Sequence, residues 1–270
     1  MEDERRGPPE ITEISVKSVV TGSRGFGSPG DYTINPYRGC QFACVYCYAR
    51  KFVHDDLRKR ASWGHWVEVK TNAADALLKD LPKLFGASIF FGSATDPYQP
   101  IETKLGLTRQ LLEILLMAHP ARVHLQTRSP HVTRDIDVLQ KFGDSLTVGI
   151  SIPTDSEVVR RAFEPRAPSL ARRIEAGKTL RDAGIRAEAS VAPLLPCTPE
   201  RLVQKLAPVF ERAWVGRINF YGDEGGAREI YAARGWDRYL AAAHEAAVKA
   251  ALRNAGLLPK AGEKRESTTQ

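Results

Sequence analysis

Short apolar, β-branched runs alternate along this chain with longer segments of helical period, and this alternation restricts the possible folds more than any other feature. The strand candidates are 32–35, 87–91, 122–126, 146–152, 186–191 and 215–220. The main helix candidates are 105–117, 169–183, 199–213 and 230–255. A strand followed by a helix, repeated five or six times, predicts an α/β fold with parallel strands, closed wholly or partly into a TIM-type barrel. We expect a partial (β/α)6 barrel.

The two ends of the chain differ in composition from the middle. Residues 1–30 are rich in Gly, Pro, Ser and charge, which predicts an extended leader with one short strand at 14–20. Residues 259–270 lack apolar anchors and predict a disordered tail. The barrel, as a single domain, is expected to occupy residues 31–258.

Composition also restricts the compartment and the partners. No run approaches the roughly 18 apolar residues of a membrane span, and the start MEDERRGPPE lacks the apolar core of a secretory signal. Four cysteines, three of them within eight positions, favour ligation in a reducing compartment over a disulfide scaffold. We therefore expect a cytoplasmic protein with no membrane partner. The formal charge of +7 is a weak indication of an anionic partner such as nucleic acid.

A polar or Gly/Pro-rich segment follows each main strand candidate. In a β/α barrel these carboxyl-end loops meet at one mouth, where active sites lie, so we expect the chemistry there. The segments are GSATDPYQP, TRSP, PTDSE, PLLPCTP and YGDEGG.

The densest group of metal-ligand residues is CxxxCxxC, formed by Cys40, Cys44 and Cys47. Three soft thiolates at this spacing can reach one small metal centre. A zinc site would need a fourth ligand, for which His54 is the only close candidate, whereas a cubane held by three cysteines leaves one iron open for catalysis. A zinc site and metal-free cysteines stay open as alternatives. Cys197, alone in its loop, is expected to be a small buried hydrophobic residue.

The cysteine motif after the first predicted strand, with Tyr46 directly before the last cysteine, resembles the signature of radical S-adenosylmethionine (SAM) enzymes. The resemblance implies that the three cysteines hold a [4Fe-4S] cluster whose open iron is chelated by the amino and carboxylate groups of SAM. It implies that one electron from the reduced cluster cleaves SAM to a 5′-deoxyadenosyl radical, which abstracts hydrogen from a substrate. It also implies an external electron donor of the flavodoxin or ferredoxin type.

Further segments resemble the spore photoproduct lyase-like branch of these enzymes, whose members are often described as DNA-repair photolyases. The likeness runs from about 32 to about 199 and includes GSATDPYQPIE at 92–102, TRS at 127–129, RD at 134–135 and SIPT at 151–154. One position departs from that branch: Ser93 stands where spore photoproduct lyase has a hydrogen-donor cysteine. A serine O–H bond is much stronger than a thiol S–H bond, so the same lyase reaction on a thymine dimer is not expected. Nucleic acid is the leading hypothesis for the substrate.

The same segments predict a SAM pocket at the barrel mouth. The Thr95 hydroxyl or the Asp96 carboxylate can accept a hydrogen bond from the SAM ammonium group. Arg128 is expected to pair with the SAM carboxylate and Ser151 to bind a ribose hydroxyl, and the resemblance implies these roles for Thr95, Arg128 and Ser151. Each residue has the alternative role of a cap or turn residue.

Two tyrosines, Tyr46 and Tyr48, flank the last cysteine of the motif. The resemblance implies that both lie near SAM and that one of them relays hydrogen. The alternative is aromatic packing against the cluster, which we favour for Tyr46.

Two further groups of residues have possible roles at the mouth. The basic residues between 50 and 60, followed by Trp63 and Trp66, could grip a nucleic-acid backbone and stack a base, or could be a solvated helix face followed by core tryptophans. Glu102, Glu164, Arg166, Asp223 and Glu224 fall on or near the carboxyl-end loops and could line a substrate cavity.

A competing function is an iron–sulfur protein that binds nucleic acid or transfers electrons without turning over SAM. That function would leave Thr95, Arg128 and Ser151, at three successive strand ends, unexplained.

Overall fold

The computed structural model describes residues 7–23, 30–220 and 225–259. The strands in these ranges are β1 Glu10–Ile14, β2 Val20–Gly22, β3 Tyr32–Ile34, β4 Tyr37–Arg38, β5 Trp66–Lys70, β6 Ser88–Phe91, β7 Arg122–Thr127, β8 Leu146–Ser151, β9 Ala187–Leu194 and β10 Arg212–Arg217. The α-helices are α1 Leu57–Ala61, α2 Ala73–Leu84, α3 Glu102–Leu105, α4 Leu107–Leu116, α5 Ile136–Leu139, α6 Glu157–Phe163, α7 Leu170–Asp182, α8 Pro199–Leu206, α9 Ala227–Ala233 and α10 Ala242–Asn254.

The main sheet has seven strands in the order β10-β9-β8-β7-β6-β3-β2. Six of them, from β3 to β10, pair in parallel, and β2 is antiparallel to β3 at the edge. The sheet is not closed, because β10 and β2 form its two edges in the described residues. The predicted partial (β/α)6 barrel is therefore confirmed.

Alternation along the strands separates an outer face from an inner one. In β7, Val123 and Leu125 are buried in the core that the helices cover, whereas His124 and Gln126 point the other way and are half-buried. A strand period of two produces this division, and the buried apolar face contributes most of the folding free energy. Because the strands are parallel, their carboxyl ends meet at one edge, where the polar loops come together.

A smaller sheet, in the order β1-β5-β4, was not predicted. Its strand β5 pairs in parallel with β1 and antiparallel with β4, with Tyr37 opposite Val69. Strand β4 leads directly into the three-cysteine segment. The small sheet therefore fixes the position from which that segment begins.

Several predicted boundaries were wrong. Instead of one strand over 14–20, the chain forms β1 and β2 on either side of a turn in which the Ser18 hydroxyl donates to the Val20 carbonyl. The helix predicted over 230–255 is interrupted near Gly235, whose φ is +63°, and the helix predicted over 105–117 is broken at Gly106, with φ of +65°. The strand predicted at 215–220 is β10, which begins at Arg212 and shortens the preceding helix.

The predicted tail, 259–270, lies outside the described residues except for its first residue. Within the described ranges, no helix combines the length and hydrophobicity that a membrane crossing demands.

Stability at alkaline pH should depend on Lys70, at the end of β5. Burial lowers the pKa of Lys70 to about 8, and its Nζ donates to the Asn35 carbonyl at 2.7 Å. Between this pKa and the ordinary value of 10.5 the Lys70 side chain binds more protons in the unfolded chain than in the folded one, so its contribution to the free energy of unfolding should rise with pH across that window. Urea unfolding of wild type and Lys70→Met across this pH range isolates this contribution, because the buried thiols are common to both proteins. Equal pH slopes in the two proteins would contradict this assignment.

Candidate active site

The cysteine loop, residues 39–47, connects β4 to a short 3-10 helix, Tyr48–Phe52. Its first residue, Gly39, has φ of +85° and lies so close to Trp66 that a Cβ there would be 2.6 Å from the Trp66 carbonyl oxygen. A residue with a side chain would force the loop away from β5. Glycine is therefore required for this entry into the loop.

Tight turns within the loop bring the three predicted metal ligands into one apolar cluster. The Cys47 N–H donates to the Cys44 carbonyl at 3.1 Å. Cys40 and Cys44 are buried and Cys47 is partly buried against them. The other members of the cluster are Phe42, Tyr46, Ala49, Val53, Trp63, Trp66, Ala94 and Ala167.

All three thiols are free, and their surroundings favour the protonated form in the absence of metal. Burial raises the pKa of Cys40 to about 12. Burial raises the pKa of Cys44 well above its usual range although the Arg128 guanidinium opposes it, and burial also raises the pKa of Cys47. Metal binding would therefore release protons from these thiols.

The donor set fits an iron–sulfur cluster. Three cysteines in one apolar cluster are the ligand type that such a group takes. Nη1 of Arg128 lies 2.8 Å from Sγ of Cys44, where it can offset the negative charge that thiolates bring. For a single metal ion, no group of three or more His, Cys, Asp or Glu side chains in residues 7–23, 30–220 and 225–259 is suitably placed.

Arg128, which follows β7, is the side chain on which the site contacts converge. Its Nη1 lies 3.0 Å from the Tyr46 hydroxyl and 2.6 Å from Oε1 of Glu164, in addition to its contact with Cys44. Its Nε is 3.7 Å from Oδ2 of Asp96. The guanidinium is thus held between two carboxylates and against the cysteine loop.

Asp96 joins the loop after β6 to the end of β7. Its carboxylate accepts the Thr127 hydroxyl at 2.7 Å and the backbone N–H groups of Tyr98 and Arg128 at 2.9 and 2.8 Å. Burial raises the pKa of Asp96 although the Arg128 guanidinium opposes the shift. Its two oxygens are therefore occupied by protein donors.

Thr95, the neighbouring predicted site residue, lies against the beginning of the cysteine loop. Its hydroxyl donates to the Gly39 carbonyl at 2.6 Å and accepts Nε2 of Gln99 at 3.1 Å. The two residues before Thr95 both contact Asn35. The Asn35 side-chain amide donates to Oγ of Ser93 at 3.0 Å, and its oxygen accepts the Ala94 N–H at 2.8 Å. The loop after β6 is thereby fastened to the segments around the cysteines.

Ser151 ends β8, beside the strand that carries Arg128. Its hydroxyl accepts Nε2 of Gln126 at 2.9 Å, and its carbonyl accepts Nη1 of Arg173 at 3.0 Å. Gly149 leaves room for this contact, because a Cβ there would lie 2.5 Å from Oε1 of Gln126. Gln126 and Arg173 are site residues that the sequence analysis missed.

The two predicted tyrosines have different environments. Tyr46 donates its hydroxyl to Glu164 and accepts Arg128, so it belongs to the buried network. Tyr48 is 43% exposed and donates its hydroxyl to the Ser93 carbonyl. Its ring meets the edge of Phe52 at 5.7 Å between centroids. Tyr48 therefore lies at the protein surface, in contact with the loop that follows β6.

An open cavity of about 280 Å³ lies between the cysteine loop and the residues that follow β10. Its lining includes Tyr46, Cys47, Tyr48, Lys51, Asn219 and Phe220.

In the basic and aromatic segment after the cysteine loop, Arg58 is exposed, whereas other members are used within the fold. Arg50 is buried and donates to a cysteine-loop carbonyl at 3.3 Å, and Lys59 pairs with Glu68. Trp63 and Trp66 are buried and pack edge to face, with centroids 5.8 Å apart. These tryptophans are core residues, as the alternative interpretation predicted.

The five residues predicted on or near the carboxyl-end loops as possible cavity-lining residues have different positions. Glu102 and Glu164 are fully buried, and Asp223 and Glu224 lie outside the described residues. Arg166 donates to the Gly64 carbonyl at 2.7 Å. Cys197 is buried in the large core, with Sγ 3.6 Å from Nε2 of His244, as expected of a small buried residue.

Comparison with known proteins agrees with the cysteine motif. The family model described as the Radical SAM superfamily matches residues 34–207. An uncharacterized protein of Methanocaldococcus jannaschii is 37% identical over 69% of this chain and 68% of its own length. An uncharacterized protein of Acidianus two-tailed virus is 29% identical over 70% of this chain, and one of Mycobacterium tuberculosis is 30% identical over 62%. The matched regions span 64% and 51% of those two proteins.

Solved structures share the fold at low identity. A spore photoproduct lyase mutant with bound AdoMet and dinucleoside spore photoproduct superposes with a TM-score of 0.67 at 18% identity, covering 92% of this chain and 80% of that one. Spore photoproduct lyase complexed with dinucleoside spore photoproduct gives a TM-score of 0.65 at 16% identity, with the same coverage.

Proposed function

This chain belongs to the radical SAM superfamily, and on that premise we propose that it cleaves SAM reductively at a [4Fe-4S] cluster held by Cys40, Cys44 and Cys47. The observation that carries the proposal is the clustering of these three cysteines beside Arg128, which follows β7 and contacts Cys44. When bound, the cluster supplies one electron to the sulfonium of SAM, which yields a 5′-deoxyadenosyl radical. The family membership makes the chain a radical SAM enzyme, and the cluster ligands, the SAM-binding residues, the reaction and the substrate are what we propose.

In our proposal the strand-end residues bind and orient SAM. Arg128 pairs with the SAM carboxylate, because its guanidinium lies beside Cys44 and its positive charge strengthens a hydrogen bond to a carboxylate. Thr95 keeps an acceptor lone pair for the SAM ammonium group, and the Ser151 hydroxyl lies at the next strand end for the ribose. Asp96 contributes by fixing the backbone of Arg128 and the loop that carries Thr95.

The tyrosines divide the remaining work in this proposal. Tyr46 packs against the iron–sulfur cluster, and its hydroxyl restricts the position of the Arg128 side chain by accepting Nη1. Tyr48, half-exposed at the cavity, is the candidate for relaying a hydrogen atom, because a phenol can give one up and Ser93 beside it cannot readily do so.

Formation of 5′-deoxyadenosine is the direct test. Anaerobically reconstituted protein given dithionite and SAM should produce it, and the same mixture without reductant should not. No product from a protein that carries a full complement of iron would contradict the proposed function.

The substrate and the electron donor belong to the same proposal. A flavodoxin- or ferredoxin-type protein would deliver the electron, because this chemistry needs an external one-electron reductant. We propose nucleic acid as the substrate class, supported by the formal charge of +7. Lyase chemistry as in spore photoproduct lyase is not proposed, since Ser93 replaces the thiol donor.

Gly225→Ala should weaken SAM binding. A Cβ at Gly225 would lie 1.7 Å from the Val45 carbonyl oxygen, so the segment after β10 or the cysteine loop has to move, and a moved loop would displace Cys44 and Tyr46 on either side of Val45. We expect a rise in the Kd for SAM of about tenfold, corresponding to roughly 1.4 kcal/mol. Equilibrium binding to reconstituted protein measures it. Gly22→Ala is the matched control, because a Cβ there meets nothing within 4 Å and its Kd should stay at the wild-type value. An unchanged Kd in Gly225→Ala would contradict the prediction that this contact fixes the cysteine loop for SAM binding.

A further inference from the structure

Glu164 is a fully buried carboxylate at the end of α6, with no role so far in the proposed function. Its two oxygens accept hydrogen bonds from groups on opposite sides of the carboxylate. Oε1 accepts Nη1 of Arg128 at 2.6 Å and the Tyr46 hydroxyl, and Oε2 accepts Nη2 of Arg173. Burial alone would raise the pKa of Glu164, but the guanidinium groups of Arg173 and Arg128 outweigh it and lower the pKa. The residue is therefore an ionised carboxylate between two cations.

The far side of this carboxylate is anchored to the barrel. Arg173, on α7, is completely buried and donates to the Ser151 carbonyl at 3.0 Å and the Pro168 carbonyl at 2.9 Å. Glu164 therefore connects a fixed guanidinium, tied to the end of β8, with the guanidinium that faces the cysteines.

We propose that Glu164 is the positioning residue that orients Arg128 and Tyr46 toward the cysteine loop and thereby sets the affinity for SAM. The inference rests on the proposed function, because the effect on SAM passes through the contact proposed for Arg128. Without this carboxylate, the Arg128 side chain would keep only the longer contact to Asp96, 3.7 Å from Nε, as an ion pair. Its Nη1 would no longer be fixed 2.8 Å from Sγ of Cys44.

Glutamine at position 164 tests the charge and the geometry together. Both carboxylate oxygens accept from guanidinium groups, whereas an amide has one oxygen and one NH2 group. The NH2 group must therefore face the donors of Arg128 or those of Arg173. The volume is conserved, so lost packing does not explain the result.

A matched control is available on the same barrel. Asp135 is also fully buried between two arginines, accepting Nε of Arg134 at 2.8 Å and Nη1 of Arg109 at 3.4 Å. No contact to the cysteine loop is recorded for its side chain among the described residues. Asp135→Asn therefore also removes a buried carboxylate from between two arginines, but at a position away from the cysteine loop.

The experiment measures SAM binding, iron content and thermal unfolding in reconstituted wild type, Glu164→Gln and Asp135→Asn. We expect Glu164→Gln to raise the Kd for SAM at least tenfold at wild-type iron content, and Asp135→Asn to lower the unfolding temperature while its Kd stays within twofold of wild type. In an Arg128→Gln background, Glu164→Gln should have no further effect on the Kd, because the two residues act in series.

A wild-type Kd in Glu164→Gln, an equal rise in Asp135→Asn, or additive effects with Arg128→Gln would overturn the inference. Wild-type protein that binds SAM but forms no 5′-deoxyadenosine would instead count against the proposed function alone.

Discussion

Cys44→Ala should abolish formation of 5′-deoxyadenosine, with a rate at least about a thousandfold below wild type. Cys44 is the middle cysteine of the three proposed ligands, lies buried in their apolar cluster and contacts Nη1 of Arg128 at 2.8 Å. Its removal would take away one proposed iron ligand and the sulfur that faces Arg128. Iron content and product formation under dithionite and SAM measure the loss.

Cys197→Ala is the control for this prediction. Cys197 is also a buried free cysteine, but it lies in the large core beside His244. Truncation there should cost about 1 kcal/mol of stability through a small cavity and leave the cleavage rate within about threefold. Full activity in Cys44→Ala, or its loss in Cys197→Ala, would contradict the assignment of ligands.

Glu102→Ala should be the most destabilising substitution among the buried carboxylates of the loop after β6. Glu102 is fully buried and accepts the Tyr37 hydroxyl, the Thr108 N–H at 2.9 Å and Nη2 of Arg134 at 2.7 Å. The variant leaves a buried hydroxyl, a backbone N–H and a guanidinium without this acceptor. We expect the free energy of unfolding to fall by about 3–5 kcal/mol.

Urea unfolding measures this difference, with Asp137→Ala as the control. Asp137 also pairs with an arginine, at 2.6 Å from Nη2 of Arg109, but its side chain is 60% exposed. Water screens such pairs, so Asp137→Ala should match wild type within the error of the measurement. A change of similar size in both variants would show that burial of Glu102 does not control its contribution.

The parallel sheet could be predicted because its main strands carry apolar residues in short runs or at every second position. The runs around Ile89, Val123 and Val148 are short, β-branched or aromatic, and bounded by turn residues. Their hydrophobic pattern alone therefore predicts strands at these positions. The small sheet escaped prediction because Trp66–Lys70 contains Glu68 and Lys70, whose burial depends on ion pairs and a carbonyl acceptor supplied by distant segments.

The predicted site residues were sought on loops that follow strands, because a parallel topology places the carboxyl ends of the strands at one edge of the sheet. Cys44 and Arg128 are brought into contact in this way, and Ser151 ends the adjacent strand. Arg173 could not be found by the same reasoning, because an arginine on a helix is normally solvated. Its burial depends on Glu164, the buried carboxylate that pairs with it in the folded chain. Trp63 and Trp66 show the converse case, because their indoles look like binding residues in sequence and are core residues in the fold.

The central claim is that Cys40, Cys44 and Cys47 hold an iron–sulfur cube by three corners and leave the fourth iron to SAM. Electron paramagnetic resonance of the anaerobically reconstituted, reduced protein, recorded with and without SAM, tests it most directly. We predict about four irons per chain and a spectrum that changes when SAM is added. An intact cluster whose spectrum is unaffected by SAM, or a colourless protein that retains zinc in place of iron, would contradict the claim.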